Sequence, residues 1–91
     1  MDKNQLKIDI EPKRIIITSE PYVMYTKRGY QAVVDVIESR SKRDYFIYIS
    51  ARSLSDRLEE LRLMNNNKLH GLEIWVRKES AEKMAGYIVE E

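Results

Sequence analysis

Three large aromatic side chains, Phe46, Tyr48 and Trp75, alternate with basic side chains along segments of this chain that are typical of β-strands. Phe46 and Tyr48 share their alternation with Lys42, and Trp75 shares its alternation with Arg77. Rings interleaved with cations suit single-stranded nucleic acid, because bases stack on aromatic faces while lysine and arginine contact the phosphates. We therefore predict a binding surface for single-stranded DNA or RNA.

Further cations lie near the two ends of the same predicted hairpin. Lys27 and Arg28 precede its first strand, and Arg40 and Arg43 lie near its other end. Binding of this kind tolerates any base sequence, and its phosphate component weakens as the salt concentration rises. The complete set of predicted nucleic-acid-binding residues is Lys27, Arg28, Arg40, Lys42, Arg43, Phe46, Tyr48, Trp75 and Arg77.

Two central strands must position these side chains. Residues Tyr30–Ile37 and Arg43–Ser50 are rich in β-branched and aromatic residues, and the polar loop Glu38–Lys42 joins them. Because side chains alternate strictly along a strand, one set faces the core and the other faces away from it. This alternation places Phe46 and Tyr48 on the outer face. The predicted core set is Tyr30, Ala32, Val34, Val36, Tyr45, Ile47 and Ile49.

One amphipathic helix, predicted over Leu54–Met64, packs on the sheet. Leu54, Leu58 and Leu61 share one helical face, Ser53 suits the N-cap position, and Asn65–Asn67 stop the helix. The other predicted elements are strands Leu6–Ile10, Arg14–Thr18, Tyr22–Lys27 and Leu72–Arg77, a short helix Ala81–Ala85 and a small edge strand Tyr87–Val89.

These elements predict the α+β class in a single domain over residues 1–91. The simplest architecture is a mainly antiparallel sheet of four to five strands with the amphipathic helix packed on one face. One helix covers only part of such a sheet, so the opposite face is expected to be a working surface.

Composition limits the chemistry of the chain. Its 91 residues carry 16 basic and 15 acidic side chains and a net charge of +1, which excludes a strongly basic, histone-like binder. No cysteine is present, so disulfides and thiolate metal sites are excluded. His70 is the only histidine, and no second histidine completes a metal shell or an acid–base pair. We predict no catalytic residues, no metal and no cofactor, and we predict that the protein is not an enzyme.

The location predicted from the sequence is cytoplasmic. The first seven residues lack the apolar run of a signal peptide. No stretch approaches the roughly 20 apolar residues that a membrane span needs. We therefore expect no membrane partner.

The same aromatic face admits another interpretation. Aromatic residues pack well on pleated sheets, and an exposed apolar sheet face is at least as often a homodimer interface as a ligand platform. The alternative function is therefore a homo-oligomeric protein-interaction or assembly module with this face as its interface. The two interpretations are compatible because a dimer can present a joint groove, and we expect a homodimer. A regulator that binds a partner protein is a third interpretation, for which no residue favours a particular target.

The layout also resembles a known group of proteins. The segments that carry the resemblance are the strand pair GYQAVVDVIE and RDYFIYIS, the helix SLSDRLEELRLM and the strand LHGLEIWVRK. Between about Arg14 and Lys78 the layout is similar to that of the ThermoDBP-like group of small archaeal single-stranded nucleic-acid-binding proteins. The resemblance implies an antiparallel sheet wrapped against helices, with a cleft lined by aromatic and basic side chains. This chain departs from the group in having no long C-terminal zipper helix.

Overall fold

The computed structural model describes residues 4–82 and 84–91, which form one helix and one mixed sheet. The predicted α+β class with a single packed helix is confirmed. These residues form a sheet of seven strands, so the predicted number of four to five is wrong. The sheet is mixed because β1 pairs parallel with β5. The elements are β1 (Asn4–Gln5), β2 (Lys13–Ile17), β3 (Tyr22–Thr26), β4 (Gly29–Glu38), β5 (Asp44–Tyr48), α1 (Arg52–Met64), β6 (Glu73–Lys78) and β7 (Tyr87–Glu90).

The long strand β4 organises the sheet, whose strand order is β1-β5-β4-β2-β6-β7. One side of β4 pairs with β5 over Val33–Ile37, as the sequence predicted for the central hairpin. The other side pairs with β3 near its start, where Tyr22 lies opposite Val33, and with β2 near its end, where Ile17 lies opposite Val36. Strands β2 and β3 therefore share one side of β4 in succession.

The break between β2 and β3 also holds the loop that follows the helix. The Ser19 hydroxyl accepts a hydrogen bond from the Asp35 amide at 3.0 Å, which ties the break to β4. The Glu20 carboxylate accepts hydrogen bonds from the backbone amides of Leu69 and His70. These amides hold the pKa of Glu20 below its ordinary value, because they stabilise the charged carboxylate.

The core lies between α1 and the inner face of the sheet. Leu54, Leu58 and Leu61 are buried as predicted, and they pack with the inward residues of five strands, β2 and β4 to β7, and of connecting segments. Each fully buried aliphatic side chain contributes on the order of 1.5–3 kcal/mol relative to an exposed one. The remaining core members are Leu6, Ile15, Ile17, Val34, Val36, Ile47, Ile49, Leu69, Ile74, Val76 and Val89, with Ala32 and Tyr45 packed at the margin.

The predicted N-terminal cap and C-terminal stop of α1 have different outcomes. The N-cap is Ala51, which makes no side-chain capping bond, so the predicted cap at Ser53 is wrong. The Ser53 hydroxyl instead accepts a hydrogen bond from the Tyr87 amide at 3.0 Å and lies against Gly86, where a Cβ would come within 3.3 Å of it. Ser53 thus anchors the start of β7. At the other end, the predicted stop at Asn65–Asn67 is confirmed, since Asn66 and Asn67 adopt positive φ.

The N-terminal segment shows that the sheet is curled. The amide of Leu6 donates to the carbonyl of Phe46 on β5, and the carbonyl of Asp9 accepts from the amide of Lys78 at the end of β6. The strand registers would separate these contacts in a flat sheet by about seven residues, roughly 23 Å along the strands. Four residues reach at most about 14 Å. The sheet must therefore curl, and the predicted strand Leu6–Ile10 is instead the segment that bridges it.

The chain ends with an edge strand. The predicted strand over Tyr87–Val89 is confirmed as β7, which pairs antiparallel with β6. The predicted helix over Ala81–Ala85 is not formed by the described residues, because Ala81 and Glu82 lie in bends and Met84 lies in a turn. Position 83 lies outside the described residues.

Candidate nucleic-acid interface

The three predicted rings lie on the same side of the sheet but do not form one platform. Phe46 and Tyr48 point outward from β5, and Trp75 points outward from β6, so the predicted alternation holds. Strands β4 and β2 lie between β5 and β6, which separates the rings by three strand spacings of about 4.8 Å each. Phe46 is only 8% exposed, so the expectation that it faces solvent is wrong.

Phe46 is buried by its neighbours on the outer face. Its ring meets the Tyr48 ring edge to face at 5.4 Å between centroids. Val33, which is fully buried, lies between Tyr48 on β5 and Tyr22 on β3. The Tyr22 hydroxyl donates a hydrogen bond to Asp35 at 2.7 Å, and this bond raises the pKa of Tyr22 to about 12. These side chains form a small second apolar cluster that holds β3, β4 and β5 together.

Trp75 is the centre of a separate surface, here called the Trp75 surface. Its ring is 41% exposed, and the guanidinium carbon of Arg14 lies 5.3 Å from the ring centroid. Arg14 also donates to Glu73 at 2.7 Å, which lowers the pKa of Glu73. Cavities of about 280 and 410 Å³ flank the ring, with Arg77 on one side and Arg40 on the other.

The Trp75 surface carries both signs of charge. Lining cations and carboxylates are mixed, so little net positive potential remains for a phosphate chain. The cations are Lys13, Arg14, Arg40 and Arg77. The carboxylates are Glu11, Glu38 and Glu90, together with Glu73, which pairs with Arg14.

A groove at the start of β4, here called the turn groove, has a different character. It encloses about 590 Å³, and Lys27 and Arg28 reach it from the turn between β3 and β4. Two tyrosines face it, Tyr48 from β5 and Tyr87 from β7, because the curled sheet brings these strands together. Among residues 4–82 and 84–91, no carboxylate lines it. Its lining residues are Gln5, Thr26, Lys27, Arg28, Gln31, Tyr48, Ser50, Ala51 and Tyr87.

Local hydrogen bonds fix the turn that carries the two cations. The Thr26 hydroxyl accepts from the Arg28 amide at 3.1 Å and donates to the Gly29 carbonyl at 2.9 Å. Gly29 has φ of +95°, which a side chain rarely adopts, and this explains the glycine at the end of the turn. Lys27 and Arg28 are therefore held on a rigid two-residue turn at the rim of the turn groove.

The start of α1 forms another part of the turn groove. Ala51, the N-cap, is a lining residue, and the first turn of the helix contains no acidic side chain. A helix N-terminus carries a partial positive charge of roughly half a unit, which favours anions within about one turn. Polar groups complete the wall, since the Ser50 hydroxyl donates to the Gln31 side-chain oxygen at 2.8 Å.

The most exposed rings lie on the opposite face of the β3–β4 hairpin. Tyr25 and Tyr30 are 74% and 73% exposed and meet edge to face at 5.0 Å, and Val23 lies beside them on the same face of β3. The prediction of Tyr30 as a core residue is wrong, because this hairpin extends past the area that α1 covers. We call Val23, Tyr25 and Tyr30 the hairpin patch.

The nine predicted residues thus fall into separate groups. Lys27, Arg28 and Tyr48 meet at the turn groove, whereas Arg40, Trp75 and Arg77 belong to the Trp75 surface. Lys42 and Arg43 are exposed in the loop between β4 and β5, and Phe46 is buried.

Sequence reasoning missed other residues of both surfaces. Gln31 alternates outward with Val33, so the pattern of β4 contained a signal for its position. Tyr87 and Ala51 reach the turn groove only through the curl of the sheet, and no local sequence pattern predicts their position there. Arg14 lies opposite Trp75 in the pairing of β2 with β6, which requires the strand order.

Within residues 4–82 and 84–91, no group of three or more histidine, cysteine or acidic side chains is arranged to hold a metal ion. In the same part of the chain, no helix has the length and apolarity to cross a membrane. No family model, curated protein or solved structure matches this chain, and what the protein binds is therefore inferred from its own surface.

Proposed function

We propose that this protein binds single-stranded nucleic acid in the turn groove, as a non-catalytic binding protein. The observation that carries the proposal is the lining of one groove of about 590 Å³, where the described residues supply two cations, two tyrosines and no carboxylate. This volume lies within the range of ordinary ligand sites, about 300–1,000 Å³. The resemblance to the ThermoDBP-like group favours the same class of ligand.

Each part of the turn groove has a role in this binding. Lys27 and Arg28 contact phosphates, and the partial charge at the start of α1 adds to their attraction. Tyr48 and Tyr87 offer faces or edges to the bases, with a stacked base contributing on the order of 1–3 kcal/mol. The side chains of Gln5 and Gln31 supply amide donors and acceptors, which form hydrogen bonds with the unpaired edges of single-stranded bases.

The experiment that tests the proposal is an anisotropy titration of fluorescent single-stranded DNA and RNA at two salt concentrations. With two phosphate contacts, the affinity is expected to fall by about sevenfold when the salt concentration rises fourfold. The double substitution Lys27→Glu with Arg28→Glu should weaken binding by about tenfold or more, because it reverses both charges at the rim.

The matched control is Lys42→Glu with Arg43→Glu, which makes the same change in net charge at the other end of β4. It should change affinity by less than about twofold, apart from a long-range effect that salt screens. Equal losses in both double variants, or no binding by the folded wild-type protein at low salt, would overturn the proposal. If Trp75→Phe weakens binding more than the Lys27 and Arg28 substitutions, the site is the Trp75 surface instead.

A further inference from the structure

Strand β3 is an open edge of the sheet. It pairs with β4 on one side, and no strand formed by the described residues runs along its other side. The remaining edges differ. β1 has only two residues, and the backbone of β7 is approached by α1, whose Arg57 side chain donates to the Val89 carbonyl at 3.4 Å. Alternate backbone amides and carbonyls of β3 therefore face away from the protein.

This edge lacks the features that usually prevent pairing. Natural edge strands are protected by charged side chains, proline, bulges or very short length. Between Pro21 and Lys27 the sequence is YVMYT, with no charge, and the whole strand is ladder-paired to β4 without a bulge in its register. Val23 and Tyr25 are exposed on it, and Tyr30 extends the same apolar surface onto β4. The hairpin patch therefore adjoins an unpaired edge.

The charges at the two ends of β3 point to its occupant. Glu20 precedes the strand, and Lys27 and Arg28 follow it. If two copies pair antiparallel about Met24, Glu20 of each copy lies opposite Arg28 of the other. A parallel pairing would instead place Glu20 beside Glu20. Opposite charges across paired strands are favourable and like charges are unfavourable, so the sequence suits antiparallel self-pairing.

We propose that two copies of this chain form a two-fold dimer by pairing their β3 edges antiparallel, with Met24 near the axis. Val23 of each copy then lies beside Tyr25 of the other, so the two hairpin patches merge and bury apolar surface. The seven-stranded sheets become continuous across the dimer. This pairing uses a different surface from the outer face proposed from sequence. Of the residues named for the pairing, Arg28 also lines the turn groove, and the pairing does not rest on nucleic-acid binding.

Sedimentation velocity from micromolar to millimolar concentration tests the dimer, whose mass is twice the 10.8 kDa of one chain. Val23→Lys, which places a charge on the open edge, should raise the dimer dissociation constant by about tenfold or more. The control is Met84→Lys at another exposed apolar position, 92% exposed against 65% for Val23 and far from β3 in sequence, which should leave the dimer intact. A monomer at every concentration, or a dimer unaffected by Val23→Lys, would overturn the pairing.

Cysteine cross-linking tests the geometry, since the chain has no cysteine of its own. Met24→Cys should give a disulfide-linked dimer on mild oxidation, because position 24 faces its own copy near the two-fold axis. Met84→Cys reports the rate of random collision between exposed thiols. A cross-linking rate for Met24→Cys no greater than that of Met84→Cys contradicts the pairing, and faster cross-linking supports it. Oligonucleotide titration of Val23→Lys separates the two proposals, since neither Val23 nor Tyr25 lines the turn groove.

Discussion

The two ends of β4 carry similar basic segments and differ in what folds beside them. At its start, Lys27 and Arg28 line the turn groove, and the part of the chain that the structure describes places no carboxylate among the lining residues. At its end, Arg40 shares its cavity with Glu11 and Glu38. Charges within a Debye length of about 8–10 Å act together on an approaching phosphate. The attraction of a phosphate therefore depends less on the number of cations in a segment than on the carboxylates that the fold places next to them.

The two ends also differ in shape. The turn groove is built from four separate parts of the chain: β1, the β3–β4 turn with the start of β4, the end of β5 with the start of α1, and the start of β7. The loop between β4 and β5 is tied mainly to itself, since the Lys42 amide donates to the Glu38 carbonyl at 2.7 Å and the Glu38 amide donates to the Arg43 carbonyl at 3.1 Å. A ligand at the first end meets several walls, whereas the second end offers an exposed loop.

The largest expected effect comes from placing an acid at the first end. Gln31→Glu should weaken oligonucleotide binding by about tenfold, equivalent to about 1.4 kcal/mol, because it puts a carboxylate beside Lys27 and Arg28. The new side chain keeps the size of glutamine and can still accept from Ser50, so the wall is preserved. Anisotropy titration at low salt measures the change.

The reciprocal variant serves as the control for this charge. Glu38→Gln removes an acid at the second end and changes the net charge by one unit in the opposite direction. It should alter affinity by less than about twofold, since the β4–β5 end lacks the walls of the turn groove. Unchanged affinity in Gln31→Glu would contradict the importance of a groove free of carboxylates. A large gain in Glu38→Gln would contradict the role assigned to the walls.

Local sequence patterns predicted most of the elements. The period-2 alternation located β3 to β6, and the isoleucine run at 15–17 located β2. The spacing of Leu54, Leu58 and Leu61 located α1 and its buried face. The outward direction of Phe46, Tyr48 and Trp75 followed from alternation alone. These predictions succeeded because strand and helix periods are set by local backbone geometry.

What the sequence did not predict depends on contacts between distant segments. Alternation says which face a ring occupies, but only the strand order shows that β4 and β2 separate Trp75 from Tyr48. Tyr30 has the pattern of a core residue and is exposed because α1 does not extend over that end of β4. The prediction of a strand over Leu6–Ile10 was wrong, because these alternating apolar and polar residues form a segment that crosses the open side of the curled sheet. The turn groove is a product of that curl.

A smaller effect distinguishes the backbones of the two ends. Each end holds one residue with positive φ, Gly29 at +95° and Lys42 at +58°. Gly29→Ala should destabilise the protein by about 1 kcal/mol or more, because a Cβ there meets no atom within 4 Å and yet requires a strained backbone. Lys42→Gly should stabilise it by about 0.5 kcal/mol, because relief of the left-handed strain exceeds the added entropy of the unfolded chain.

Urea denaturation of both variants measures these free energies of unfolding. The sign of the change in the free energy of unfolding is the informative result. Glycine occupies the left-handed position at one end of β4 without strain, whereas lysine occupies the left-handed position at the other end with strain. Gly29→Ala should also weaken oligonucleotide binding, because it disturbs the turn that carries Lys27 and Arg28. Lys42→Gly should not. Stability changes of the same sign in both variants would contradict the assignment of strain to Lys42.

The smallest expected effect concerns the bond that fastens β3 to the first end of β4. The Tyr22 hydroxyl donates to Asp35, and its pKa is raised to about 12 from an ordinary value of 10. A folded-state pKa above the unfolded one means that this stabilisation is complete below pH 10 and is lost as the pH rises from 10 to 12. Tyr22 is 40% exposed, so water competes for the bond and the loss is modest.

Tyr22→Phe should remove this part of the alkaline dependence, because the variant has no hydroxyl proton to lose at that position. Urea denaturation at pH 9 to 12 measures it, with Tyr25→Phe as the matched control, since that change removes another hydroxyl from β3 and leaves the bond to Asp35 in place. An equal alkaline loss in the wild type and in Tyr22→Phe would show that the bond does not hold the hairpin.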